Sequence, residues 1–297
     1  MTSVPTASPT CLANFKVNLC VALDESGSVC SKGDAASCTG CQCDRGSTSS
    51  TCRCAEHYDR WRCDYGHCDC RNSCPRFNGA TDSTKAFATS FIQKFDQEAQ
   101  SRGATSTQFS VVSFADRATA QQGLTSATVA ANAVTNLEYT GGYTNTQDAL
   151  KTCQETFAGH TDPTTRNVML VFTDGTPTMV VNSRQKCRNY IAADFTDVPY
   201  NPNAPGCKDS GNEYCLCAHD AQVEAESIKA AGTTISTLFV KPASTATNAC
   251  PGSARCYPPE KFLAEQVASQ GLANTADWND IDQQVGTLAD QIVAKIC

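Results

Sequence analysis

Residues 15–28 read FKVNLCVALDESGS, an almost unbroken apolar run that ends in an aspartate and two serines spaced two apart. Such a run is the pattern of a central strand covered on both faces of a sheet. In extended backbone alternate side chains point the same way, so Asp24, Ser26 and Ser28 would present their oxygens to one side. Gly27 lets the chain bend closely around a bound cation. Serine and aspartate at strand ends are also ordinary turn and cap formers, and this segment alone does not separate the two readings.

Two later segments do. Gly141-Gly142-Tyr143-Thr144-Asn145-Thr146 precedes a helical pattern, and the apolar run 168–172 is followed by Thr173-Asp174-Gly175. A strand ending in D-x-S-x-S, a G-G-x-T-N-T loop opening a helix, and an apolar strand ending in T-D-G, in that order, resemble the von Willebrand factor type A family, which includes the integrin I domain. The resemblance covers residues 14–297. It implies a doubly wound α/β fold of Rossmann type, and a metal-ion-dependent adhesion site whose ligands here are Asp24, Ser26, Ser28, Thr144 and Asp174. Magnesium is the expected ion, because it takes about six oxygens in octahedral geometry and keeps some waters; calcium and manganese are the alternatives. Three of the five ligands are uncharged hydroxyls, which leaves the cation electron-poor and open to a carboxylate from a partner.

The rest of the chain reads as alternating strands and helices. Phe87, Phe91 and Phe95 recur four apart in a helix that Thr81 or Asp82 can cap and Gly103 can end. Strands are expected over 108–114, 118–121, 167–172, 234–240 and 272–278, and helices over 125–137, 147–157, 218–231, 261–270 and 280–296. Asp148 falls in the first turn of its helix, where an acidic side chain suits the helix dipole, and is assigned there rather than to the metal. This alternation predicts a mostly parallel sheet with helices on both faces.

Composition bounds the setting. The chain has 297 residues, 40% of them hydrophobic, and the motif order places them in one domain. No apolar run approaches the roughly 20 residues of a membrane helix. Twenty cysteines point to a disulfide network and an extracellular, secreted or cell-surface setting. Residues 1–13 are rich in Ser, Thr and Pro, lack the pattern of a signal peptide, and read as a linker to the 14–297 domain, one module of a larger protein. A net charge of −7 argues against non-specific nucleic-acid binding, which rests on Lys and Arg neutralising phosphates.

Three cysteine-bearing stretches interrupt the family pattern: 30–74, with ten cysteines, and the smaller loops 182–217 and 241–259. Each starts beyond the carboxyl end of a core strand, the edge where open α/β sheets bind ligands, so all three are expected around the metal. Tyr58, Trp61 and Tyr65 in the first form either a ligand platform or that insert's own small core; Tyr143 is a further candidate contact. The C-x-C pairs Cys41/Cys43 and Cys68/Cys70 do not have the spacing of a zinc finger. Cys11 and Cys297 flank the domain and are expected to pair, since domain ends often lie close together. In the family the last helix can slide to switch the site between weak and strong binding, and such a bond would hold it in one state.

None of the four histidines is tied by spacing to the metal motif, so no enzyme is expected. The chain reads as an extracellular, metal-dependent adhesion module that coordinates an acidic group of a protein or polysaccharide, without nucleic acid or membrane insertion. The alternative is a disulfide-stabilised structural matrix module whose metal site is incidental.

Overall fold

In chain order the elements are β1 (Phe15–Asp24), β2 (Cys41–Cys43), β3 (Cys52–Cys54), α1 (Pro75–Asn78), α2 (Thr84–Ser101), β4 (Ala104–Phe114), β5 (Ala118–Thr125), α3 (Ala127–Thr135) and α4 (Thr146–Thr156). Then come β6 (Thr165–Thr173), β7 (Ile191–Ala192), α5 (Leu216–Ala230), β8 (Thr234–Lys241), β9 (Cys256–Tyr257), α6 (Pro259–Phe262), a π-helical turn Leu263–Val267, β10 (Ala273–Asp277), a 3-10 turn Trp278–Asp280 and α7 (Ile281–Ile296). This computed structural model describes residues 14–29, 41–43, 52–54, 74–159, 162–179, 191–192, 216–241, 256–257 and 259–297.

The six-stranded sheet runs β10-β8-β6-β1-β4-β5. β1 pairs in parallel with both β4 and β6, and β6–β8 and β8–β10 are parallel too; only β5 is antiparallel, against β4. The sheet is therefore the mostly parallel one expected. β1 is central, and its side chains divide between two cores. Val17, Leu19, Val21 and Leu23 face one that includes Phe87, Phe91 and Phe95 of α2 and Leu288 and Ile292 of α7. Cys20 and Ala22 face the other, with Leu150 and Cys153 of α4 and Ala221 and Ala225 of α5. Period-two alternation along a doubly covered strand produces this split.

On the α4 face Cys20 and Cys153 form a disulfide, both fully buried. The bond ties β1 to α4, the two elements that carry the first and second motif loops. Cys74, Cys217 and Cys297 are disulfide-bonded as well. Among the described residues no helix is long and apolar enough to cross a membrane.

Element ends differ from expectation in two instructive places. α2 is capped by Ser83, whose hydroxyl accepts from Ala86 N, not by Thr81 or Asp82. Asp82 stands at φ 48°, outside helical geometry, so the helix starts after it. The helix expected over 261–270 begins at Pro259 and widens into the π turn, closed by Ala268 N donating to Leu263 O at 2.7 Å. The π turn stops it short, with Ala268 in extended backbone.

Of the cysteine-bearing stretches the structure describes small antiparallel ladders. Cys41–Cys43 pairs with Cys52–Cys54, and Ile191–Ala192 of the second stretch pairs with Cys256–Tyr257 of the third. Apart from their end residues Cys74, Leu216, Cys217, Lys241 and Pro259, the rest of these stretches, with Tyr58, Trp61 and Tyr65, lies outside the described residues, as do Cys11 and any placement of the three around the metal.

Candidate metal centre

β1, the loop before α4 and the end of β6 meet at one edge of the sheet because β1 is flanked by β4 and β6. There the five motif side chains come together. Thr144 Oγ1 donates to Ser26 Oγ at 3.1 Å, Ser26 and Ser28 hydroxyls lie 3.1 Å apart, and Ser28 Oγ donates to Asp174 Oδ1 at 2.6 Å. Ser28 has one hydroxyl hydrogen and gives it to Asp174, so Ser26 donates to Ser28. The result is a directed chain from Thr144 through Ser26 and Ser28 to Asp174. Asp24 sits behind it, one oxygen accepting from Ser26 N at 2.8 Å and the other from Thr173 Oγ1 at 2.6 Å.

Backbone ties fix the loops. Gly27 N donates to Gly142 O, and Gly141 N to Glu25 O, joining the first loop to the second. Thr178 joins the second to the third reciprocally: its N donates to Thr144 O, and its hydroxyl accepts from Thr144 N, both at 2.8 Å. Asp116 braces the turn from behind, Oδ1 accepting from Tyr143 N at 2.6 Å and its backbone O from Asn145 Nδ2. Gly142, at φ +110°, passes so close that a Cβ there would lie 2.6 Å from Asp116 Oδ1. Only glycine meets both conditions.

Asp24 and Asp174 are essentially fully buried. Burial pushes both carboxyls above the ordinary carboxylate range, and the charge of Asp24 pushes Asp174 further. Hydrogen bonds from Ser26 and Thr173 at Asp24, and from Ser28 with the Arg76 charge at Asp174, offset this only in part. Glu25, also buried, is raised to about 7 mainly by burial, against hydrogen bonds from Thr140 and Ser113. Asp174 Oδ2 is buried without a hydrogen-bond partner, an arrangement that is costly unless something cationic satisfies it. A Cβ on Gly175 would lie 3.3 Å from Thr144 Oγ1 and 3.4 Å from Ser28 Oγ, so the bare backbone there keeps space beside the ring. Among the described residues no three His, Cys, Asp or Glu side chains form a metal cluster. The donor set is therefore hydroxyls plus two carboxylates, hard oxygens that fit magnesium.

The other site expectations fall as follows. Asp148 lies in the first turn of α4, and its Oδ2 accepts from Ala118 N at 2.8 Å. Tyr143 is 36% exposed in the second loop. Cys297 is disulfide-bonded, while Cys11 is outside the described residues. Sequence reading missed Thr173, Thr178, Asp116, Tyr139 and Arg76 as site residues. Asp116 carried a turn signal, but nothing in a linear pattern joins it to Tyr143, and the Ser- and Thr-rich run after Asp174 hides Thr178 among equivalent residues.

The sequence model of the von Willebrand factor type A domain matches residues 76–198. That span includes Thr144 and Asp174; the cysteine-bearing stretch separates it from Asp24, Ser26 and Ser28. No curated protein matches the chain in sequence. Among solved structures it is similar to the vWF domain of the type V pili tip protein Mfa5 from Porphyromonas gingivalis, with TM-score 0.55 and 13% identity over 96% of this chain and 98% of that one. It is similar to the pilus adhesin SpaC from Lactobacillus rhamnosus GG, with TM-score 0.54 and 14% identity, covering 95% of this chain and 30% of that one. Proximal thread matrix protein 1 from the mussel byssus aligns with TM-score 0.50 and 14% identity over 95% of this chain, which spans about half (49%) of its length. The chain has the von Willebrand factor type A fold, and the match over residues 76–198 supports a domain of that family.

Proposed function

We propose that this chain is an extracellular adhesion or ligand-binding module that grips an acidic group of a protein or polysaccharide through a divalent cation, magnesium first among the candidates. One observation carries the reading: two buried carboxylates and three hydroxyls from three loops converge at one sheet edge, the hydroxyls and Asp174 in one hydrogen-bonded chain, with Asp174 Oδ2 unpartnered. Ser26, Ser28, Thr144, Asp24 and Asp174 are the residues to hold the ion. When bound, the cation supplies a Lewis-acidic point at which an anionic oxygen of a partner can coordinate. The protein's own part is positioning. Asp24, with both oxygens engaged by Ser26 and Thr173, anchors the ring, and the Thr178 and Asp116 ties hold Thr144 in place.

The fold neighbours, a pilus adhesin and a matrix protein, agree with an adhesive module of a larger extracellular protein, at identities that speak to fold alone. The reading needs no turnover, and the chain is assigned no catalytic residue. A disulfide-stabilised matrix module with an incidental site is the competing reading, favoured by the buried Cys20–Cys153 bond. Calorimetric titration of the metal-stripped protein with magnesium, repeated on Asp24→Ala, separates them. Saturable one-site binding lost in the variant, followed by chelator-sensitive capture of acidic ligands, supports adhesion; absence of binding in the wild type leaves the structural reading.

A further inference from the structure

The sheet edge away from the metal centre carries a groove of its own. It opens where α4 and α5 end and β6 begins, and has a volume of about 630 Å³. β6 runs from Thr165 in the groove wall to Thr173 at the metal centre, which sets the two roughly 26 Å apart at about 3.3 Å per residue. The charge of the groove is unbalanced. Its wall holds three carboxylates, Glu155, Asp162 and Glu224, against one basic residue, Lys151. Asp162 is paired with Lys16 at 2.8 Å. Glu155 on α4 and Glu224 on α5 are not so satisfied: among the described residues neither side chain makes a hydrogen bond or an ion pair, and Lys151 pairs with neither. α4 ends here with no basic residue in its last turn, so the negative end of its dipole is left uncompensated at the groove. Lys229, in the last turn of α5, is directed elsewhere, its Nζ donating to Gln266 O at 3.2 Å. Burial lifts the Glu224 carboxyl above its usual range, Lys151 opposes the lift, and the Glu155 charge adds to it.

We infer that this groove is a second binding site, which takes an arginine side chain of a partner protein with its guanidinium between Glu155 and Glu224. Two carboxylates on facing helices and one uncompensated helix end call for a cation. A bare metal ion is not that cation, because among the described residues no three His, Cys, Asp or Glu side chains are grouped to hold one. A guanidinium suits the arrangement better: it is always charged, and its planar fork of N–H donors can serve two carboxylates at once. Phe157, Ala158 and Ala231 in the wall supply apolar surface for the methylene stem that carries it. Lys151 stands as the internal competitor, a cation of the same wall drawn to the same two carboxylates. The inference is independent of the metal reading, since the groove shares no residue with the metal centre. It gives the module two poles, a basic group of one partner taken at the edge opposite the proposed metal.

The test titrates the full chain with an acetylated and amidated tri-arginine peptide, by calorimetry at low salt, in chelator and again in saturating magnesium. The uncharged tri-citrulline peptide is the control. Wild type is expected to bind tri-arginine alike in both media and to leave tri-citrulline unbound. Glu155→Gln and Glu224→Gln should each weaken binding on the order of tenfold, the loss of one charge-assisted contact. Lys151→Gln should tighten it about threefold by removing the competing charge. Glu226→Gln takes an exposed carboxylate from the same helix outside the groove and should change nothing, which separates the groove from the general attraction of a chain with net charge −7. No binding of tri-arginine by the wild type, equal losses in Glu226→Gln and Glu224→Gln, or binding that needs magnesium overturns the inference. None of these outcomes bears on the metal reading, which the magnesium titration above decides.

Discussion

Ser28 Oγ donates to Asp174 Oδ1 at 2.6 Å across 146 positions of sequence, and this bond joins the first motif loop to the third. Ser28→Ala removes one of the hydroxyls proposed to hold the cation and leaves Asp174, already unpartnered at Oδ2, without that donor. The cation-free protein should lose about 1–3 kcal/mol, the cost of leaving a buried acceptor unsatisfied. Magnesium affinity should fall as well. Denaturant unfolding in chelator, set beside calorimetric titration, measures the two losses separately; unchanged values in both would show that the ring does not act as a unit.

The two buried carboxyls of the proposed metal site, Asp24 and Asp174, give the cation-free protein an unusual response to pH. Their folded-state values lie above the ordinary 3.8, so between about pH 4 and neutrality the folded state holds more protons than the unfolded one. Stability then falls as pH rises through that window, the reverse of the trend set by salt-bridged carboxylates. Glu25, raised to about 7, adds to the same slope. A bound divalent ion favours the ionised forms and removes the penalty. The rise in Tm on adding magnesium should therefore be larger at pH 8 than at pH 5. Asp174→Asn should flatten the slope in chelator and raise stability near pH 8 by on the order of 2 kcal/mol, while abolishing the response to magnesium. A cation-free protein that becomes more stable from pH 5 to pH 8 would contradict the burial account.

Gly142 is held by two independent constraints, φ +110° and a Cβ position 2.6 Å from Asp116 Oδ1. Gly142→Ala must shift Asp116, which accepts from Tyr143 N, and must strain the backbone as well. A loss of about 2–4 kcal/mol is expected from strain and the displaced bond together, with weaker magnesium binding because Thr144 is two residues away. Asp116→Ala removes the bond without the strain and should cost about 1–2 kcal/mol. Chemical denaturation of both variants distinguishes the contributions.

The five ring residues were legible because each motif is local: a strand end or a loop opening a helix fixes where two or three oxygens point. The strands were legible for a similar reason, since burial on both faces makes β1 and β6 continuous apolar runs. What sequence did not show were the ties between loops. Thr178 to Thr144 and Tyr139 to Ser26 are set by how the sheet brings distant segments together, and their residue types are common ones. The missed start of α2 has a local cause of another kind, the left-handed backbone at Asp82, which side-chain preference alone does not reveal.

Cys20 and Cys153 were also invisible as a pair, one hidden in an apolar strand and the other in an amphipathic helix, 133 positions apart. Their bond joins β1, four residues before Asp24, to α4, seven residues after Thr146, and so fixes the distance between the first and second loops. Replacing both with alanine should cost about 2–5 kcal/mol, through the freed unfolded chain and lost core packing. It should also weaken magnesium binding, because the two loops lose their shared brace. Both sulfurs are fully buried, so a mild reductant should leave this bond intact in the folded protein and cleave it only as denaturant opens the core. Alkylation and mass analysis across a denaturant series read this directly. Reduction at zero denaturant with no loss of secondary structure would place the bond outside the core and remove it from the support of the site.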